Sequence, residues 1–89
     1  MAVTDGENTK HLSVAAEYVE NVLVEGIGVQ LLTTAGHECK VTDNEGAVVF
    51  DVKAIANNDG FDLFFSSPKF FKKLTATTLT SGVLVIYLA

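Results

Sequence analysis

The sequence predicts an all-β fold: a small antiparallel β-sandwich or jelly-roll-like barrel of about seven or eight short strands. Three observations predict it. Apolar and polar residues alternate with a period of two over much of the chain, as half-buried strands require. β-Branched and aromatic residues dominate those stretches, and they suit a pleated surface. Turn signals built on Gly, Asn and Asp recur roughly every 8–12 residues.

Residues 1–9 are small, polar and acidic. They read as a flexible arm that could order on a neighbouring subunit, ahead of one domain over residues 10–89. From Lys10, alternation places Leu12, Val14, Ala16 and Tyr18 on one face of a strand. Ala15, Ala16, Glu17 and Glu20 are good helix formers, so a short helix over residues 13–23 competes. Residues 22–24 and 27–34 read as a strand broken by Gly26 and Gly28, a pattern that marks a bulge or bend. Ala35-Gly36 turns the chain, and residues 38–42 form a short strand with Cys39 and Val41 on one face. Asp43-Asn44-Glu45-Gly46 suits a type I turn closed by a left-handed residue, joining a hairpin to residues 47–53. Asn57-Asn58-Asp59-Gly60 is a second turn, and residues 61–65 are a strand interrupted by Ser66-Ser67-Pro68-Lys69. The threonine-rich residues 74–80, a Thr80-Ser81-Gly82 turn and a last strand over residues 83–89 complete the chain. No internal repeat or linker is visible in the sequence.

A chain of 89 residues has room for one modest core and buries about 60–65% of its unfolded surface. Yet 48% of its residues are apolar and its mean hydropathy is +0.33. The surplus is concentrated in two places. Val83, Val85 and Tyr87 alternate with Leu84, Ile86 and Leu88, so both faces of the last strand are apolar; either its own fold covers both, or one meets another subunit. Phe64-Phe65 and Phe70-Phe71 are adjacent pairs whose members face opposite ways on a strand. Phe64, Phe65, Phe70, Phe71, Leu84, Ile86 and Leu88 are therefore the candidate subunit or partner interface.

The net charge is −5, with six lysines and no arginine. Residues 1–45 hold eight acids and two lysines, and residues 46–89 hold three acids and four lysines. This balance lacks the basic footprint of a nucleic-acid binder. The asymmetry could align neighbouring copies or dock the acidic half on a basic surface. The start of the chain has no basic segment followed by an apolar one, so no signal peptide is expected. The seven-residue apolar run at residues 83–89 is far short of the roughly 20 needed for a membrane helix. One cysteine, Cys39, permits no internal disulfide.

Few residues suggest chemistry. His37 and Cys39 share one side of a strand, but with His11 they fall short of the four ligands of a structural zinc site. A Cys–His nucleophile pair would need contact geometry and an oxyanion hole that nothing signals. Asn57, Asn58, Asp59 and Asp62 lack the spacing of a calcium loop. Lys69, Lys72 and Lys73 form the one basic cluster, read as a solvated loop that guards Phe70-Phe71. No catalytic residue, metal site or cofactor is expected, and the chain reads as a non-enzyme.

Residues 27–88 resemble small phage virion proteins that decorate, or cement, capsids. The resemblance lies in Gly28-Val29-Gln30-Leu31, in the hairpin from Asp43 to Phe50, and in the run from Phe61 to Pro68. It is closest from Leu74-Thr75-Ala76-Thr77-Thr78-Leu79 through Thr80-Ser81-Gly82 to Tyr87. Lys72-Lys73 stand where the pattern would carry Asn-Gly. The resemblance implies a virion location on the capsid exterior, after synthesis in the host cytoplasm. It also implies the major capsid protein as partner, with self-association as a homotrimer. A homodimer is the second expectation for the apolar surplus, and the charge and the short apolar run argue for neither nucleic acid nor membrane as partner. Two alternatives stand beside it: a head–tail adaptor or small tail or fibre subunit, and a non-enzymatic ligand- or carbohydrate-binding β-module.

Overall fold

A computed structural model of the chain describes residues 4–6 and 8–89. These residues form seven strands and no helix. In chain order they are β1 (Thr4–Gly6), β2 (Thr9–Leu12), β3 (Tyr18–Leu32), β4 (Glu38–Asp43), β5 (Val48–Lys53), β6 (Asp59–Leu79) and β7 (Val83–Leu88). They pair antiparallel throughout, in the spatial order β1-β2-β7-β3-β6-β4-β5. The predicted all-β fold is therefore observed, although two of its strands are long. Of the arm expected over residues 1–9, Thr4–Gly6 pair with β2; residues 1–3 and 7 lie outside the described residues.

The long pair β3–β6 organises everything else. The first part of β3 lies beside the second part of β6, from Tyr18↔Thr75 to Val24↔Lys69, and β4 continues that half of the sheet from Leu74 onward. The second part of β3 lies beside the start of β6, from Gly26↔Phe64 to Leu32↔Asp59, and β7 pairs with its other edge. Between the halves, Glu25 alone on β3 stands against Phe65, Ser66, Ser67 and Pro68 on β6. The expected break at Ser66–Lys69 is thus a bulge within one strand. Pro68 is tolerated there because a bulge releases its neighbour from the ladder.

Both halves share one core. Leu12, Ile27, Leu84 and Ile86 enter it from one half, and Val41, Leu74 and Ala76 from the other, all with no exposed surface. No polar or charged side chain is buried among the described residues, so the core is held by apolar burial, about 1.5–3 kcal/mol for each large side chain.

The turns follow their residues. Asp43 Oδ1 accepts hydrogen bonds from the N–H groups of Glu45 and Ala47, both at 2.9 Å, and Gly46 takes φ +82°. Glycine, free of Cβ, adopts that conformation at the least steric cost. Neither the single strand expected from Lys10 through Tyr18 nor the competing helix over residues 13–23 forms: β2 ends at Leu12, residues 13–17 are a turn that carries Val14 and Ala16, and β3 begins at Tyr18. Propensity lost because Val19, Val22 and Val24 reach the core only from an extended backbone.

A repeat hidden in the sequence emerges here. Leu12-Ser13-Val14-Ala15-Ala16-Glu17-Tyr18-Val19 and Leu32-Thr33-Thr34-Ala35-Gly36-His37-Glu38-Cys39 fold alike. Leu12 and Leu32 are fully buried, and Val19 and Cys39 are buried at the far end. Ala16 takes φ 75° and Gly36 takes φ 95°. The N–H of Ala16 donates to the Ala76 carbonyl at 2.8 Å, and the N–H of Ala76 returns to Glu17 at 2.9 Å. Gly36, Ala54 and His37 repeat that exchange, both bonds at 2.8 Å. Each copy is a turn that delivers a strand against a partner carrying a buried alanine.

Candidate interaction surface

The phenylalanine pairs divide as adjacent strand residues must. Phe65 and Phe71 turn inward, pack against the core, and lie 6.2 Å apart between ring centroids. Phe64 and Phe70 turn outward and are 57% and 59% exposed. Phe70 sits opposite Leu23, itself exposed. Phe64 lies in a row with Gly26 and Tyr87, and its ring meets Tyr87 at a centroid distance of 5.1 Å. Gly26 is required beneath it: a Cβ there would strike the Phe64 ring and come within 2.9 Å of the Leu63 carbonyl.

Tyr87 and Asp62 belong to this surface, and the sequence reading did not include them. The Tyr87 hydroxyl donates to Asp62 Oδ1 at 3.2 Å. Burial, and then the Asp62 charge, raise the Tyr87 phenol above its ordinary value. Gly28 lies directly under the Asp62 carboxylate. The glycines expected to mark a bulge or bend do flank one, between Val24 and Gly26, and they also make room for Phe64 and Asp62. A signal was present: glycines two apart clear one face of a strand.

The last strand is a correction. Leu84 and Ile86, expected as contact residues, are fully buried in this chain's own core. The reason is position: β7 lies between β2 and β3, and its inward face closes the core. Val85 on the opposite face is also buried. Leu88 is half-buried and packs against the core margin. Most of the exposed large apolar side chains therefore lie on β3 and β6, with Val14, Val48 and Ile55 elsewhere.

Two of the three clustered lysines act on aromatic rings. Lys69 Nζ stands 5.1 Å from the centroid of Phe65, and Lys73 Nζ stands 4.3 Å from that of Tyr18. Such cation–π contacts cover ring faces that would otherwise be wet. Lys72 is exposed.

The residues weighed for chemistry have structural employment. Cys39 is fully buried, and burial followed by the Asp51 charge raises its thiol to about 12. A thiolate is the reactive form, so this cysteine is inert in the folded chain. His37 Nδ1 and Ser81 Oγ share a hydrogen bond of 2.8 Å, and His11 Nε2 lies 3.1 Å from Thr9 Oγ1. Asn57 Oδ1 accepts from the N–H of Ala35, and Asp59 Oδ2 accepts from that of Ile55. No group of three potential metal ligands occurs among the described residues. A cleft is lined by the polar residues Glu38, Lys40, Asp51 and Thr78.

No protein-family model and no curated protein matches this chain. Its function has to be read from the surface just described: an apolar, aromatic strip on β3 and β6, flanked by lysines, on an acidic protein. That strip offers contact area.

Proposed function

We propose that this chain is a structural virion protein that binds the outside of a phage capsid and braces the shell. The observation that supports this reading is the exposed strip of Phe64, Phe70, Leu23 and Tyr18 on the β3–β6 pair. Aromatic side chains concentrate binding energy at protein interfaces, and a contact site is all that a passive clamp requires. The resemblance of residues 27–88 to capsid decoration proteins supplies the partner, the major capsid protein. The acidic residues concentrated in the first half of the chain would meet basic patches on the shell. We also read the fold as a sandwich rather than a barrel, because β3 and β6 each run through both halves that close over the shared core.

Cryo-electron microscopy of the source particles tests the proposal. Stoichiometric density on the outer face of the shell, accounted for by this chain, is the expected result. Its absence from purified particles would overturn the reading, and tens of copies or fewer at the vertex or tail would replace it with an adaptor or tail subunit.

A further inference from the structure

We infer that β6 carries a self-pairing edge, through which two copies of this chain join as a two-fold antiparallel dimer. This goes beyond the capsid reading and does not depend on it.

Among the described residues, β4 covers β6 only from Leu74 onward, and β3 occupies its other side. Residues 59–73 therefore present one unpaired edge. An edge of that length, carrying five phenylalanines, is a template for adding another strand.

The charges on this edge select the occupant. One end is acidic, with Asp59 and Asp62; the other is basic, with Lys69, Lys72 and Lys73. A parallel neighbour would set lysine against lysine. An antiparallel copy sets each acidic end against a basic one. A two-fold axis normal to the sheet requires facing residues to lie on the same face of the pleat. The register centred on Ser67 meets that requirement and places Asp62 opposite Lys72, with Phe64 opposite Phe70. All four are exposed in the single chain. By symmetry each pairing occurs twice. The same register sets Leu63 against Phe71 on the other face, and Phe65 against Lys69. The irregular stretch that holds Pro68 falls on the axis, where it meets its own copy and leaves the flanking segments aligned. Facing aromatic pairs and opposite charges are the contacts that stabilise neighbouring strands.

The test is sedimentation velocity of the full chain from micromolar to submillimolar concentration, with charge exchange. The unaltered protein should give a dimer of twice the 9.5 kDa chain mass. Lys72→Asp should raise the dissociation constant about tenfold or more, since it sets like charges opposite each other at two places. Adding Asp62→Lys to Lys72→Asp should restore the dimer. Circular dichroism melts confirm that each variant is folded. A second measurement does not rely on Asp62, which also holds Tyr87. Ser67→Cys should form a disulfide-linked dimer under mild oxidation much faster than Ser13→Cys in the exposed turn. Cys39, being buried, stays silent. A monomer at every concentration, a Lys72→Asp variant that dimerises as well as the unaltered chain, or equal cross-linking at positions 67 and 13 would each overturn the inference.

Discussion

Raising the pH from 8 to 10 should cost this protein about 1.4 kcal/mol that a Cys39→Val variant does not lose. The ordinary thiol value is 9.0, and in the folded chain Cys39 is raised to about 12, first by burial and then by the Asp51 charge. A raised folded value means that the folded state holds the proton while the unfolded state releases it. The associated stability is fully present below pH 9 and is lost as pH rises from there toward 12. At pH 10 the unfolded thiol is ionised about ten to one and the folded thiol hardly at all, which corresponds to about 1.4 kcal/mol of extra stabilisation of the unfolded chain. Valine is the appropriate replacement because Val19 holds the equivalent place in the first copy of the repeat and is likewise buried. The variant differs from the unaltered chain only at position 39, so the difference between the two proteins isolates the thiol. Urea unfolding followed by circular dichroism at both pH values measures it. With a slope of about 1 kcal/mol per molar urea, the midpoint of the unaltered chain should fall by roughly 1.4 M more than that of the variant. Equal losses in the two proteins would refute the reasoning, as would alkylation of native Cys39 at the rate of a free thiol.

Other consequences are equally direct. Gly82 has φ +79°, and a Cβ there would collide with the Gln30 and Leu31 carbonyls, so Gly82→Ala should lower stability by about 2 kcal/mol or more in the same urea assay. Leu84→Ala should cost about 2–5 kcal/mol, because its side chain is fully buried. Phe70→Ala should cost under about 1 kcal/mol in the dilute monomer, since its ring is 59% exposed, and should weaken self-association instead. Asp62→Asn removes the charge that helps to raise the Tyr87 phenol, so the Tyr87 phenol should titrate at lower pH by ultraviolet difference spectroscopy.

Much of the fold was legible because short-range chemistry dictates it. Asp43 and Gly46 announced their turn, and Gly82 announced another, since few other residues satisfy those dihedrals. That one member of each phenylalanine pair turns outward followed from strand periodicity; that it is Phe64 and Phe70 is set by which face of β6 meets the core. The last strand was not resolved, because an apolar run on both faces fits a central strand and an interface strand equally well. Only the position of β7 between β2 and β3 decides between them, and strand order is a long-range property. The repeat stayed hidden for a related reason. Its two copies share only two identities, the leucine at the start and the alanine at Ala15 and Ala35; Ala16 and Gly36, Glu17 and His37, Val19 and Cys39 differ in kind. What the copies share is a hydrogen-bond exchange with Ala76 and Ala54, residues far along the chain.

The exposed edge follows from the same architecture. One β3–β6 pair supplies the middle of both halves, so β6 runs for 21 residues. The strand available to flank it, β4, is six residues long and is held at the far end by its hairpin with β5. β7, also six residues long, is committed to β3. No strand remains to pair with β6 before Leu74 among the described residues, and that segment holds five of the six phenylalanines. A bulge, a proline and three lysines limit which strands can approach it, and such features restrain edge-to-edge association in general. Here the lysines sit at one end and the aspartates at the other. Uniform positive charge would repel every copy. A divided edge repels the parallel neighbour and accepts the antiparallel one, so the features that guard this edge also specify its partner.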